Sequence, residues 1–187
     1  MVSNPKGEIA GQVFIYILSL IVVAVVLIYG YSAIQDFRTK AEEVNLINFK
    51  NEIEKVVVKS TRYGDIKPAE FSLSGKYQKT CFVDSFSALS QSQKDNTCIC
   101  TPGCSNSNPI ICDAWKTTNS TNVYSVPLAD IAINIGPITV DGDGDGAEDI
   151  PGSCGGSKCY YLCIENAHGK IKLILYGKGN HVFIRSG

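Results

Sequence analysis

The sequence predicts an α+β fold in which a long N-terminal α-helix packs on a C-terminal, antiparallel β-rich domain braced by disulfides. An uncharged stretch from Ile9 to Gln35 leads into residues with helical periodicity, and all eight cysteines follow it. The C-terminal part alternates short apolar runs with turn residues, which is typical of strands. About 150 residues remain beyond the apolar stretch, which is enough for one domain with its own core.

The apolar core of the N-terminal stretch runs from Val13 to Tyr29. It has 17 residues, of which 13 are Val, Ile, Leu or Phe, and this length suffices to span a bilayer. At about 0.3 to 0.6 kcal/mol each, these residues favour insertion by about 4 to 8 kcal/mol. A charged, helical continuation follows Tyr31 where a secretory signal would have a cleavage site. We therefore expect a retained transmembrane segment over about residues 13–34.

Helical periodicity continues beyond the apolar core. Apolar residues recur at spacings of three and four in a first group, Ile34, Phe37, Ala41 and Val44. A second group with helical spacing follows it, namely Phe49, Ile53 and Val56. Tyr63, Gly64 and Pro68 end this pattern. The sequence thus predicts one helix from about residue 9 to residue 60, whose second half packs on its own domain.

Seven short segments have strand character: Glu70–Leu73, Lys79–Val83, Asn122–Val126, Ile131–Val140, Tyr160–Glu165, Lys170–Tyr176 and His181–Arg185. The last three are expected to form an antiparallel meander, in which Ile171, Leu173 and Leu175 share the face that covers the helix. Residues 84–121, rich in Ser, Asn, Gln and Thr, are expected to be a loop held by cross-links rather than by burial. One sheet on the helix and a two-sheet sandwich both fit this pattern.

The cysteines predict disulfides formed in an oxidising exterior: Cys81, Cys98, Cys100, Cys104, Cys112, Cys154, Cys159 and Cys163. Cys159 and Cys163 cannot pair on one extended strand, because about 13 Å would separate them. Cys154 and Cys159 could close a small loop, and the other pairings stay open. A zinc site is the alternative for the four clustered cysteines, but their spacings differ from the CxxC units of structural zinc.

An acidic segment, DGDGDGAED, occupies residues 141–149. Its spacing suits Ca²⁺, with Gly146 at the turn and five candidate ligands, namely Asp141, Asp143, Asp145, the carbonyl of Ala147, and Asp149. These nine residues resemble the short calcium loops of dockerins and thrombospondin repeats, but Gly152 stands where an EF-hand has a bidentate glutamate. We expect millimolar to sub-millimolar affinity and a role in stiffening the loop. The alternative is an acidic turn without a cation.

Charge and composition limit the remaining functions. With 17 basic and 18 acidic residues the net charge is -1, so no basic field indicates a nucleic-acid partner. His168 and His181 are the only histidines, neither lies in a nucleophile motif, and both are expected to be solvated. The sequence therefore predicts that the protein is not an enzyme. Asn119 begins an N-glycosylation sequon, which is compatible with an outward-facing domain.

The residues just before the apolar helix carry a family resemblance. KGEIAGQVF, which begins at Lys6, resembles the class III signal of archaeal type IV pilins and archaellins, usually KGQISVEF followed by apolar residues. The resemblance implies that a prepilin peptidase cuts between Gly7 and Glu8 on the cytoplasmic face. Residues 1–7 are then a leader, 8–60 the long helix, and 61–187 an extracellular domain.

Two positions differ from the family pattern. The family usually has glutamine at the first mature position and glutamate at the fifth, whereas this chain has Glu8 and Gln12 there. In pilins the fifth-position carboxylate neutralises the amino terminus of a neighbouring subunit, so the resemblance implies assembly roles for Glu8 and Gln12. A second register, with cleavage after Gly11, would place glutamine first but has no basic residue close by.

The resemblance implies a structural subunit of an archaeal surface filament, with adhesion as a role open to it. Its expected partners are the membrane, the prepilin peptidase and identical copies in a helical filament. The protein is expected in the cell membrane with its domain outside, and on the cell surface after assembly. The alternative is a single-pass, membrane-anchored extracellular binding protein that does not polymerise.

Overall fold

The computed structural model describes the backbone of residues 5–104, 107–117, 121–129, 131–149 and 158–187, and side chains from residue 13 onward. It contains three helices: α1 (Pro5–Lys59), α2 (Gln91–Asp95) and α3 (Pro109–Thr117). It also contains seven strands: β1 (Ile66–Ser72), β2 (Lys79–Val83), β3 (Val123–Val126), β4 (Ile138–Val140), β5 (Tyr161–Glu165), β6 (Lys170–Gly177) and β7 (Val182–Ser186).

The chain divides into two compact units, Met1–Val44 and Asn45–Gly187, and α1 contributes to both. In the first unit the large apolar side chains from Val13 to Phe37 are exposed. Ser19, the only serine in the apolar core, donates its hydroxyl to the Tyr16 carbonyl at 2.8 Å. That bond leaves the hydroxyl satisfied within the helix, as an apolar environment requires.

The second unit contains two sheets. The first has the order β1-β6-β7-β4, in which β4 and β7 are parallel and the other neighbours antiparallel. The second is antiparallel and has the order β3-β2-β5. The question of one sheet or two, open at the level of sequence, is thus answered in favour of two.

The end of α1 supplies one wall of the main core. Its buried residues recur at helical spacing and pack with the apolar face of β6 and β7: Leu46, Phe49, Ile53 and Val57, with Ile171, Leu173, Leu175, Val182 and Ile184. Phe49 meets Phe71 of β1 edge to face, with ring centroids 6.2 Å apart. Each such side chain contributes about 1.5 to 3 kcal/mol when fully buried. The predicted α+β fold, with the helix packed on the sheet, is confirmed.

The predicted apolar stripe is buried only over its second half. Ile34, Phe37 and Val44 are exposed, Phe37 by 75%. The buried positions begin at Leu46, in the second unit, where the end of α1 packs on the β-rich domain.

The predicted three-strand meander is wrong for its first strand, β5, which does not pair with β6. β6 and β7 form an antiparallel hairpin as expected, but β5 pairs with β2 in the other sheet. The turn between β5 and β6 holds one bridge, Ala167 to Lys170, and Asn166 donates its backbone N–H to Gln78 instead. Within the predicted strand Ile131–Val140, the structure has strand only at β4, with an isolated bridge from Ile133 to Val123.

Residues 84–121 are not the cross-linked loop that composition suggested, since they contain α2 and α3. Ser90 and Gln93 form a capping box at the start of α2. At α3, the Asn108 side chain accepts from the Ile111 N–H at 3.2 Å, and Pro109 takes the first helical position. A second apolar cluster surrounds Trp115, so burial and disulfides both hold this region.

Candidate functional site

The N-terminal apolar segment is the first candidate site. Among the described residues, α1 is the one helix long and apolar enough to cross a membrane. None of the residues in its most apolar stretch is buried. Its exposed side chains include Phe14, Leu27, Ile28 and Tyr29. Exposed apolar patches of this size mark contact with lipid or with other proteins.

The predicted processing and assembly residues all lie on this helix. Lys6, Gly7, Glu8 and Gln12 fall within the first turns of α1. Their side chains lie outside the described part of the structure. The predicted roles of these residues stay predictions.

The acidic loop begins directly after β4, whose ladder with β7 fixes its start: the Asp141 N–H donates to the Ile184 carbonyl at 3.0 Å. Both carboxylate oxygens of Asp141 face back into the loop. Oδ1 accepts the Gly144 N–H at 2.8 Å and Oδ2 accepts the Gly146 N–H at 3.1 Å. Both glycines have positive φ, 80° and 85°, which lets the chain curl around Asp141.

The loop brings three of the five predicted metal ligands together. Carboxylate oxygens of Asp141, Asp143 and Asp145 lie within 4.8 Å of one another. Ala147, predicted to offer its carbonyl, donates its N–H to Asp145 Oδ1 at 2.7 Å. These contacts form a compact oxygen-rich loop, and hard divalent cations such as Ca²⁺ prefer oxygen ligands.

Asp149, the fifth predicted ligand, holds the base of the loop. Its Oδ2 accepts N–H groups from Gly142 at 2.8 Å and from Tyr160 at 3.0 Å. The pKa of Asp149 is raised to about 6, mainly because of burial and to a smaller extent because of the nearby carboxylates of Asp143 and Asp141, while the two N–H bonds oppose this shift.

Gly142 is the position where the loop tolerates no side chain. A Cβ there would fall on the carbonyl oxygens of Lys158 and Tyr161. The glycines of DGDGDG thus serve different purposes, since Gly142 permits a close backbone approach and Gly144 and Gly146 permit positive φ.

The contact beside the loop between the half-buried Glu148 and the buried His181 was not anticipated. His181 Nε2 donates to Glu148 Oε1 at 2.5 Å, and the Thr139 hydroxyl donates to the same oxygen at 2.7 Å. Lys178 Nζ lies 3.1 Å from Oε2. Burial would raise the pKa of Glu148, but these three partners outweigh burial and lower it.

The prediction of a solvated histidine is wrong for His181 and correct for His168. His181 is 8% exposed, and its ring stacks on Phe86 with centroids 4.0 Å apart. His168 is exposed in the turn before β6. The Glu148–His181 contact spans 33 residues, and no local pattern signals it.

Three disulfides lie among the described residues: Cys81–Cys163, Cys98–Cys104 and Cys100–Cys112. The first joins β2 to β5 at positions paired in the sheet register, with Cα atoms 4.0 Å apart. The other two occupy the four clustered cysteines that the zinc alternative would need. Cys159 is also disulfide-bonded, and Cys154, its predicted partner, lies outside the described residues.

The predicted glycosylation residue, Asn119, also lies outside the described residues, just after the end of α3.

Comparison of the chain with protein-family models, curated protein sequences and solved structures gave no match.

Proposed function

We propose that this chain is a pilin-like structural subunit of an archaeal type IV pilus-like surface filament, in which adhesion is a role open to the outer domain. It is made as a membrane protein, processed between Gly7 and Glu8, and assembled through its apolar helix. The proposed role is structural rather than enzymatic. The proposal rests mainly on α1 and on the KGE motif at its start.

One property of α1 carries the proposal. The helix is uninterrupted from Pro5 to Lys59, its apolar core is exposed on all faces, and its far end is built into the domain core. Such a helix is unstable in water and requires either lipid or other apolar helices around it. A membrane supplies the lipid before assembly, and a filament supplies the other apolar helices afterwards.

The residues at the start of the helix favour the filament over a permanent anchor. A basic residue and a glycine directly before the apolar segment, at Lys6 and Gly7, resemble the class III signal. After cleavage, the carboxylate of Glu8 and the amide of Gln12 are the polar groups available to the amino terminus of a neighbouring copy. A carboxylate paired with an ammonium group in an apolar core is favourable only when both remain hydrogen-bonded.

The domain is proposed to face outward. Disulfides persist in oxidising compartments and are rare in the cytosol, and no free cysteine occurs among the described residues. The prepilin peptidase would act at the opposite, cytoplasmic end of the helix. The partners are then the membrane, that peptidase and identical copies.

We also propose that the acidic loop binds Ca²⁺ and is stiffened by it. Asp141, Asp143 and Asp145 supply the closest oxygens, and the pKa of Asp149 is raised mainly by burial and also by the neighbouring carboxylates of Asp143 and Asp141. A bound cation would offset the mutual repulsion of these carboxylates.

Mass spectrometry of the membrane-extracted protein tests the proposal. We expect the native chain to begin at Glu8. A chain that retains residues 1–7 would contradict processing and leave the anchored binding protein as the explanation. Substitution at the cleavage site gives a matched pair, because Gly7→Phe should block processing whereas Gly11→Phe should not. The reverse result would assign cleavage to the second register.

Electron microscopy of material sheared from the cell surface tests assembly. Filaments that contain this chain, and that disappear in the Gly7→Phe strain, are the expected result. A processed chain that is never found in filaments would contradict the filament role while leaving the membrane anchor intact.

A further inference from the structure

A cavity of about 270 Å³ lies between the segment that follows β2 and the helices α2 and α3. Its lining combines charged, aromatic and small side chains, contributed by the continuous segment 84–89 and by Lys94 and Trp115. Pockets for larger organic ligands occupy about 300 to 1,000 Å³, so this cavity has room for one small ring.

Asp84 is a buried carboxylate in which one oxygen accepts hydrogen bonds and the other accepts none. Its Oδ1 accepts the N–H groups of Phe86 at 2.9 Å and Ser87 at 2.8 Å, which hold the side chain in place. Its Oδ2 is buried and has no hydrogen-bond partner. A buried acceptor without a donor is unfavourable, and a ligand that supplies the donor gains from this deficit.

Lys94 lies across the same cavity. Its ammonium donates to the Trp115 carbonyl at 3.1 Å and lies 5.5 Å from the centre of the indole ring. Burial lowers the pKa of Lys94, and burial likewise raises the pKa of Asp84. Burial makes charge costly in this cavity, so a ligand that forms hydrogen bonds without bringing charge of its own avoids a further desolvation cost.

The charges at the cavity restrict its ligand further. A charged ligand would meet both a cation and an anion in this cavity, so its attraction to either Asp84 or Lys94 would be offset by repulsion from the other. A neutral hydroxylated ring can donate to a carboxylate and accept from an ammonium, while its apolar face contacts an aromatic ring. Phe86 offers such a ring, since it is 41% exposed while it stacks on His181.

We propose that this cavity binds a neutral sugar ring, with Asp84 accepting from one hydroxyl, Lys94 donating to another, and the aromatic residues contacting the ring. Oδ2 of Asp84 is covered in this structure, so the ligand reaches it only after a local rearrangement of the cavity lining. Binding of a single ring is expected to be weak, with a Kd on the order of 1 mM. The proposal goes beyond the filament role and does not depend on polymerisation.

Trp115 makes the test direct, because it is the only tryptophan in the chain. The full chain in detergent is titrated with glucose, galactose, mannose and N-acetylglucosamine while tryptophan fluorescence and the indole N–H resonance are recorded. We expect a saturable change with at least one of these sugars. If none of them changes either signal at concentrations far above 1 mM, the proposal is overturned.

Variants locate the site. Asp84→Asn keeps the acceptor for Phe86 and Ser87 but replaces Oδ2 with a donor, and Lys94→Met keeps the apolar stem while removing the ammonium. Each is expected to weaken sugar binding at least tenfold. Lys116→Met is the matched control, because Lys116 lies next to Trp115 on α3 but pairs with Asp95 and does not line the cavity.

Three outcomes would overturn the assignment. Sugar binding that is unchanged in both Asp84→Asn and Lys94→Met would place it elsewhere, provided that the near-ultraviolet circular dichroism shows folded variants. A saturable response to glycine, but to none of the sugars, would show that the cavity takes a zwitterion. A response to acetate or methylammonium alone would show that it takes an ion.

Discussion

His181 Nε2 lies 2.5 Å from Glu148 Oε1, and this contact ties the acidic loop to the residue that immediately precedes β7. Thr139 of β4 and Lys178 bind the same carboxylate. The loop is therefore held from β4 and from the segment that leads into β7, independently of any cation. Structural stiffness and metal binding can be separated by substitution.

Glu148→Gln is expected to lower the free energy of unfolding by about 2 kcal/mol, because hydrogen bonds to a charged group are stronger than neutral ones. Urea denaturation in EDTA measures the effect, with Glu54→Gln on the exposed face of α1 as control. The lowered pKa of Glu148 means that its contribution is present above pH 4.5 and is lost as the pH falls through the folded-state value. Equal effects of the two substitutions would show that Glu148 is not a structural anchor.

Calcium is expected to stabilise the wild-type domain and not the Asp143→Ala variant. At about 10 mM Ca²⁺ and a Kd of about 1 mM, the gain is about 1.4 kcal/mol. Thermal unfolding with Ca²⁺, with Mg²⁺ and with EDTA measures it. Asp113→Ala, an exposed acidic residue on α3, is the matched control. A melting temperature that is insensitive to Ca²⁺ in the wild type would remove the ion from the description of this loop.

Asp84 predicts a pH dependence of opposite sign to that of Glu148. Burial raises the pKa of Asp84 above its ordinary value of 3.8, so the folded state binds a proton more tightly than the unfolded state. The stability of the wild type relative to Asp84→Asn should therefore rise as the pH falls from above the raised pKa toward 3.8. Denaturation of both proteins at several pH values and constant ionic strength gives this difference. A difference that does not change with pH would show that Asp84 titrates normally.

Gly177→Ala is expected to destabilise the domain by about 3 kcal/mol or more, because a Cβ would fall on the carbonyl oxygens of Ser60 and Arg62. Gly177 also exchanges backbone hydrogen bonds with Gly64 and Asp65 at 3.0 and 2.8 Å. Gly75→Ala is the control, since a Cβ there meets open space. Chemical denaturation should separate the two variants clearly, and equal stabilities would contradict the tight approach at Gly177.

The disulfides are expected to contribute unequally. Cys81 and Cys163 are separated by 82 residues, and Cys98 and Cys104 by 6. In the chain-entropy description, double substitution of the first pair by alanine should cost about 4 kcal/mol and of the second pair about 2 kcal/mol. Denaturation of the two double variants provides the comparison. The reverse order would mean that local strain or residual structure, rather than loop closure, governs their effect.

The parts of the fold that depend on local periodicity could be predicted from the sequence. The long helix and the strand Lys79–Val83 follow from apolar spacing alone. Strand partners could not be derived in this way, because alternation identifies a face but not the neighbour across it. The segment Tyr160–Glu165 was predicted to begin a meander, yet its disulfide residue Cys163 lies opposite Cys81 in the other sheet.

The short helices α2 and α3 have local helix-start signals, but the polar composition of the segment around them favoured a loop. Ser90 and Gln93 have capping-box spacing, and Asn108 followed by Pro109 is a helix start, but both lie in a segment rich in polar residues and cysteines. The acidic loop could be located from its spacing. The contact between Glu148 and His181 could not, since it depends on the tertiary arrangement of distant segments.

The strand β7 lies inside its sheet, between β6 and β4, although it is the last strand in chain order. A polypeptide synthesised from its N-terminus cannot complete this sheet before β7 (Val182–Ser186) has been made. Until then β4 has no partner within the sheet, and the edge of β6 that pairs with β7 is open. We therefore expect the β-rich domain to complete its fold only after the last strand has been made, with an open strand edge exposed to non-native pairing until then.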